Sequence, residues 1–384
     1  MSGAAGAGLA RLLVIQPSPW CNIDCRYCYL KDRRNRAVMS DATVAAIAER
    51  IVAEIAPATE TLVVWHGGEP TTVALAWYRA AMARLSPAKR GAGLRYSLQT
   101  NGIGLDDAWA AFLSETGTAV GLSLDGPEDL HDRHRRTRSG GPTWHLAMAA
   151  LARLRRHGIE PGIITVLTAD AIDRADDLLD FYATHGIRRV SFSVEEREGA
   201  NAASSLDGPG WPGRMEGFLA RFLQGVVGRG LPIHVREAER ILGLLADRPA
   251  GPGNDQAEPL AIVTVDHRGG LYSFSPEFTE HAAGDWAHLR LGDVHGQSLS
   301  DIARGPALRR LTGEIGVGLA ACAANCAYWP VCGGGAPVNR LAETGSLATA
   351  ETQFCRLTVQ ATVKALHRVL PAPAAGRPQG VMTA

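Results

Sequence analysis

The sequence predicts an α/β chain in which a partial (β/α)6 TIM-type barrel is followed by a smaller cysteine-bearing domain. Three observations predict it: six short apolar runs alternating with helical periodicities, the end of that alternation near residue 200, and seven cysteines divided into three near the start and four near the end. With 384 residues, 46% hydrophobic and 20% charged, the chain is long enough for one large domain plus a smaller one around a substantial core.

The runs "LLVIQ" (12–16), "TLVVW" (61–65), "LRYSLQT" (94–100), "AVGLSL" (119–124), "GIITVLT" (162–168) and "RVSFSV" (189–194) read as buried strands. Between the first two, Ser40 caps a helix whose Val44, Ile47, Ala48, Ile51, Val52 and Ile55 share one face. "TWHLAMAALARLRRHG" and "IDRADDLLDFYATHG" have the same periodicity, and each ends in a glycine able to take the left-handed conformation. Such a β/α series implies a parallel sheet curled as a barrel. After it, "EEREGANAASSLDGPGWPGRM" is turn-rich, "DRPAGPGNDQAEP" reads as a mobile connection, and "AIVTVDHRGGLYSFSPEF" reads as a hairpin turning at "DHRGG". The expected organisation is a disordered start (1–10), the barrel (11–205), a connecting helical and loop region (206–255), the second domain (256–370) and a disordered tail (371–384).

Formal charge is zero, with 39 basic against 39 acidic residues, so bulk electrostatics predict no nucleic-acid partner. "HDRHRRTR" is the local exception, read by default as a solvated basic face. No window approaches a membrane span, and the N-terminus lacks a signal peptide's features, so a cytoplasmic location without membrane association is expected. In a reducing compartment, clustered cysteines point to metal ligation or catalysis rather than disulfides.

Cys21, Cys25 and Cys28 follow C-x3-C-x2-C directly after the first strand, where a barrel carries its reactive loops. Three thiolates hold three corners of a four-iron four-sulfur cluster and leave one iron open; a zinc site completed by a distant histidine, or three buried thiols, are the alternatives. "WHGGEPT" (65–71) ends the second strand, with glycines for close backbone approach and Glu69 as an acceptor for an ammonium group. Cys322, Cys326, Cys332 and Cys355 read C-x3-C-x5-C-x22-C, a complete set for a closed cluster, with structural zinc as the alternative. At the end of the sixth strand "SVEEREG" offers Glu195 and Glu196 as proton acceptors, of which period-two alternation sends one inward. Asp125, after the fourth strand, is a further candidate base, and Asn201 and Arg197 could bind peptide backbone. The alternative for the carboxylates is a paired or solvated turn cap.

The combination of C-x3-C-x2-C with "HGGEP" one strand later resembles the radical SAM superfamily. The resemblance implies that S-adenosylmethionine (SAM) chelates the open iron, that His66, Gly67, Gly68 and Glu69 hold its methionine amine, and that Tyr27 lies beside its adenine. It also implies cofactor roles for Asn101 in "TNG", for Ser123 and Arg135 near the SAM carboxylate, and for Leu167 in the adenine pocket. "CGGGAPVNRLAETG" resembles the SPASM extension of peptide-modifying members. "CRYCYLKDR", "SVEEREGAN" and "YSFSPEF" resemble the cyclophane-forming (GrrM/OscB-type) peptide maturases most closely. Ser273, Phe274 and Ser275 stand where sulfatase maturases carry a cysteine after the hairpin, which together with four C-terminal cysteines implies one auxiliary 4Fe-4S cluster.

The implied reaction is hydrogen removal from a side-chain Cβ of a ribosomally synthesised precursor peptide by a 5′-deoxyadenosyl radical. Carbon–carbon bonding to a nearby aromatic ring follows, and the auxiliary cluster takes up the released electron. The implied partners are that peptide and an electron donor such as flavodoxin or ferredoxin. Formylglycine formation or thioether formation by the same cofactors is the near alternative, and a non-catalytic iron–sulfur or zinc protein the distant one.

Overall fold

Six strands lie parallel and side by side in chain order: β1 (Leu12–Ile15), β2 (Thr61–Trp65), β3 (Leu94–Thr100), β4 (Ala119–Ser123), β5 (Gly162–Leu167) and β6 (Arg189–Val194). The computed structural model of the chain describes residues 10–247 and 253–370. The expected disordered tail, nearly all of the expected disordered start, and part of the connection expected to be mobile lie outside the described residues. Among the described residues no helix is long and apolar enough to cross a membrane.

The connections are helical: α1 (Asp41–Arg50), α2 (Leu75–Ala88), α3 (Asp107–Glu115), α4 (Glu128–His134), α5 (Trp144–Arg156), α6 (Ala169–Ile172) and α7 (Ala175–Thr184). Ser40 caps α1, its side chain accepting from the Thr43 backbone N–H at 3.1 Å. The glycines after α5 and α7 are left-handed, Gly158 at φ +74° and Gly186 at φ +62°. Period-two alternation sorts the strand residues into two layers. Leu13, Ile15, Val63, Trp65 and Leu98 join the helix-facing core, whereas Val14, Val64 and Ile262 form a small separate cluster. Trp65 anchors the end of β2, stacked on Tyr96 and edge-on to Tyr78 and Trp77.

The sheet runs on at both edges. A two-residue strand, β7 (His234–Val235), extends it past β6 and is flanked by α8 (Trp211–Gly228) and α9 (Arg236–Asp247). The hairpin predicted at "DHRGG" forms from β8 (Ile262–Val265) and β9 (Gly270–Ser273), with β8 pairing parallel to β1 and the short β10 (Gly292–Asp293) beyond. The sequence pattern did not mark β7 or β10, whose two residues leave no periodicity to read. The remaining helices are α10 (Leu299–Arg304), α11 (Pro306–Asn325), α12 (Trp329–Cys332), α13 (Pro337–Thr344), α14 (Gln353–Cys355) and α15 (Ala361–Val369).

One tight contact joins the loop after β6 to the loop after β1. The Ala200 N–H donates to the Tyr29 carbonyl at 2.7 Å, and a Cβ on Gly199, at φ +54°, would lie 2.2 Å from that oxygen. Gly199→Ala is therefore expected to cost about 3 kcal/mol, combining left-handed strain with a backbone clash. Gly186→Ala has the same strain at φ +62° and nothing within 4 Å, so about 1 kcal/mol is expected. Urea denaturation of the two variants measures the difference; equal losses would show that the Tyr29 carbonyl gives way.

Candidate active site

The loops leaving the carboxyl ends of β1 to β6 surround a cavity of about 310 Å³. Cys21, Cys25 and Cys28 line it, all free, on an irregular loop that neighbouring arginines hold in place. Arg138 Nε donates to the Cys21 carbonyl at 2.8 Å, Arg33 Nη1 donates to the Cys25 carbonyl at 3.2 Å, and Trp20 lies between the guanidinium groups of Arg36 and Arg138. Two arginines of "HDRHRRTR" thus serve the site, the buried Arg135 and the half-buried Arg138, and Arg136 closes its own turn on Gly140. Burial pushes the Cys21 and Cys25 thiols up to about 12, so these sulfurs become thiolates only against a bound cation.

Among the described residues no three His, Cys, Asp or Glu side chains converge closely enough to hold a single metal ion. A tetrahedral zinc site would need its thiolates about 3.8 Å apart. Three thiols spread around one cavity suit a larger inorganic body, a four-iron cluster with one corner left open.

His66, Gly67, Gly68 and Glu69 form the opposite wall. Gly67 and Gly68 are left-handed at φ +87° and +54°, and a Cβ on Gly68 would lie 2.3 Å from the Trp20 carbonyl, so only glycine lets this turn reach the cysteine loop. Burial lowers His66 to about 4, which leaves its ring neutral, and its Nδ1 has no partner. Glu69 is 1% exposed. Its Oε1 accepts from the Thr71 N–H, the Thr71 hydroxyl and the Thr100 hydroxyl, and its Oε2 from the Asn101 N–H at 2.7 Å. Burial raises this carboxyl despite those donors, and Oε2 keeps a lone pair for a cation.

Asn101 lines the cavity and donates to Asn22 at 2.8 Å; Ser123 lines it from the end of β4. Tyr27 and Arg135 line it together, the guanidinium 5.4 Å from the ring centroid. Leu167 does not line the cavity: it is fully buried in the core, and Ile164 and Val166 line the cavity instead. Reading one position along β5 exchanges the two faces of the strand.

The three carboxylates singled out as bases part company. Asp125 is 3% exposed, absent from the cavity wall, and saturated by Arg135 Nε at 2.9 Å, Arg135 Nη2 at 3.1 Å, the Val166 N–H and the Tyr27 hydroxyl. Burial alone would raise it, but Arg135 holds it below the usual carboxylate range, so it positions Arg135 and Tyr27 and is a poor base. Glu195 reaches the cavity, yet its Oε2 accepts from the Ser205 N–H at 2.7 Å and from the Ser205 hydroxyl, a turn cap. Glu196 also lines the cavity, and its carboxylate accepts from Asn339 Nδ2 of α13. Burial, then the neighbouring Glu277, pushes it up to about 8.

Glu198 and Glu277 complete this group and were missed in the sequence. Glu198 is 4% exposed and raised well above the usual range by burial and by Glu277; Glu277 is raised by burial. Both line the cavity, and Glu198 Oε1 and Glu277 Oε2 have no hydrogen-bond partner. Continuing the alternation two residues past Glu196 would have found Glu198. Glu277 follows Phe274, a buried residue held at φ +69°, and no sequence pattern signals that turn. Asn201 Nδ2 donates to the Glu196 carbonyl at 2.7 Å, and Arg197 pairs with Asp207 at 2.8 Å.

A second cavity, of about 320 Å³, is lined by Cys322, Cys326, Cys332 and Cys355. Three successive left-handed glycines, Gly333, Gly334 and Gly335, turn the chain from Cys332 into α13. The same test applies: four thiols around one roomy cavity, with no single-ion convergence among the described residues, fit a fully ligated cluster.

The sequence model of the radical SAM superfamily matches residues 15–182. An uncharacterized protein of Synechocystis is 33% identical over 358 residues, spanning 92% of this chain and 90% of that one. A serine-type anaerobic sulfatase-maturating enzyme of Klebsiella aerogenes is 36% identical over 185 residues, 47% of this chain and 46% of the enzyme, so the match spans about half the length of that relative. Among solved structures, anSMEcpe with bound AdoMet and Cp18Cys peptide has a TM-score of 0.74 at 21% identity, covering 93% of this chain and 96% of that one. SuiB of Streptococcus suis bound to precursor peptide SuiA has a TM-score of 0.65 at 14% identity, covering 91% and 76%. These two likenesses concern the fold.

Glu69→Gln keeps an acceptor for the Thr71 and Thr100 hydroxyls while removing the charge. SAM affinity is expected to fall about ten- to a hundredfold, the loss of one charge-assisted hydrogen bond, with iron content unchanged. Equilibrium binding of SAM to the reconstituted protein measures this, and unchanged affinity would leave Glu69 as a turn cap.

Proposed function

The chain belongs to the radical SAM superfamily, and from that premise we propose that it modifies a ribosomally synthesised precursor peptide, joining an aromatic ring to a side-chain Cβ in a three-residue cyclophane. Its cofactors are SAM and 4Fe-4S clusters. When bound, SAM and the cluster at Cys21, Cys25 and Cys28 supply a 5′-deoxyadenosyl radical.

The observation that supports this reading most is the position of Glu196, Glu198 and Glu277 on the wall of the cavity that also holds the three-cysteine loop. Joining a carbon radical to an aromatic ring ends with loss of one electron, which a cluster at the four C-terminal cysteines would take up, and of one ring proton, which needs an acceptor facing the substrate. Glu196 meets that need: it faces the cavity, no cation pairs with it among the described residues, and Asn339 fixes its carboxylate. Glu198 lies beside Glu196 on the same wall and can pass the proton on. Arg135, Tyr27 and Asp125 form a buried, mutually saturated unit that orients one side of the cavity. The glycine turn at Gly67 and Gly68 packs closely against the cysteine loop on the other side. The peptides bound in the two structural neighbours support a peptide as the substrate class.

The likeness to a sulfatase-maturating enzyme favours one second reading, oxidation of a serine or cysteine to formylglycine. Incubation with SAM, reductant and a peptide encoded beside the gene separates the two. Cross-linking removes two hydrogens, leaves thiols open to alkylation and gives no aldehyde that reacts with hydrazine reagents. An aldehyde product would establish the second reading.

The environment of Glu196 sets a pH dependence. With its carboxyl at about 8, it is protonated below that value and accepts a proton only above it. Cross-linked product per SAM consumed is expected to rise as pH climbs through about 8. Glu196→Gln is expected to remove that limb and lower product roughly a hundredfold while deoxyadenosine still forms. An unchanged pH profile in the variant would assign the proton to another acceptor.

A further inference from the structure

Arg340 is among the largest fully buried side chains, at 2% exposure. Its Nη2 donates to the Gly334 carbonyl and lies 3.6 Å from Cys322 Sγ, while Nη1 reaches the Leu347 carbonyl at 3.4 Å. The other buried arginine among the described residues, Arg135, is paired with Asp125 at 2.9 Å; Arg340 has no carboxylate within ion-pairing distance. A guanidinium taken out of water without an opposite charge is strongly disfavoured.

The fold nevertheless makes room for it. A Cβ on Gly318, in the interior of α11, would lie 2.3 Å from Arg340 Nη1, and one on Gly334 would lie 3.3 Å from Nη2. Gly318 also admits the Leu347 and Thr349 carbonyls, so the slot is shaped by backbone as well as by glycine. Glycine within a helix is disfavoured relative to alanine, and here it is kept where it seats a buried cation.

The missing opposite charge is supplied by the cysteines. Arg340 lines the same cavity as Cys322, Cys326, Cys332 and Cys355. Four neutral thiols compensate nothing, whereas four thiolates around an iron–sulfur cluster carry net negative charge. We propose that Arg340 is the counter-ion of the metal–thiolate centre held by these four cysteines, and that its hydrogen bond to Cys322 raises that centre's reduction potential. Positive charge and donors to cluster sulfurs favour the more negative, reduced state. The proposal rests on the four-cysteine cavity being an iron–sulfur site.

The test uses the full chain, reconstituted anaerobically, with Cys21, Cys25 and Cys28 changed to alanine so that only the second centre gives an electron paramagnetic resonance signal. In a dithionite titration, Arg340→Gln is expected to lower the midpoint by at least about 59 mV, a tenfold change in the reduced-to-oxidised ratio. Arg340→Lys is expected to recover more than half of that shift. Full iron content with an unshifted potential in the glutamine variant would overturn the proposal.

Melting temperatures give a second readout, whose metal-free arm does not require the variant to assemble its centre. Without metal, Arg340→Gln is expected to melt at or above the parent chain, because a buried unpaired charge is gone; with the centre loaded it is expected to melt below it. A lower melting temperature in both states would make Arg340 a packing residue and overturn the counter-ion role. Iron analysis of the unmodified chain separates this failure from that of the site reading: about four irons instead of about eight would remove the second cluster itself, and Arg340 with it.

Discussion

One buried carboxylate ties the reactive end of the sheet together. Glu69 accepts from Thr71 beside it and from Thr100 and Asn101 at the end of β3, while its own N–H donates to the Trp20 carbonyl at 2.8 Å, just before Cys21. The loops after β1, β2 and β3 are therefore fixed to one side chain. The left-handed pair Gly67 and Gly68 is what brings the backbone close enough for this. Burial makes these hydrogen bonds obligatory, since each donor would otherwise be left without water.

Around that anchor, charge compensation decides which carboxylates are spectators. Asp125 is matched by Arg135 and held in its ionised form. Glu196, Glu198 and Glu277 crowd together with no Lys or Arg paired to them among the described residues, and His281, 3.6 Å from Glu198, is kept neutral by burial; burial raises all three carboxyls, and repulsion from Glu277 raises Glu196 and Glu198 further. A carboxylate is thus a fixed counter-ion behind one wall of the cavity, whereas on another wall three carboxyls are held toward their neutral form.

The two cysteine sites are joined by a single helical turn. In α13 the consecutive side chains Asn339 and Arg340 diverge, the first donating to Glu196 and the second to Cys322. A further cavity of about 450 Å³ has both Glu196 and Cys332 in its wall. Glu196 and the four-cysteine cavity thus both touch α13 and open to a common space.

Six β-strands, their helical connections and the hairpin were legible in the sequence because each rests on local periodicity or a turn signal. The three-plus-four cysteine division and "HGGEP" were legible because ligand spacing and glycine turns are written in consecutive residues. Leu167 was read on the wrong face of β5 because a strand's phase is fixed by its neighbours' register. Glu277 and Arg340 went unread because each owes its character to partners distant in the chain. Glu277 reaches the cavity through the strained turn at Phe274, and Arg340 lies in a slot opened by Gly318. The sequence by itself determined which groups can bind metal and where loops must bend. Only the tertiary structure decided which carboxylates face one another without a cation and which arginine is buried without a carboxylate, because those depend on desolvation and long-range neighbours that no local pattern encodes.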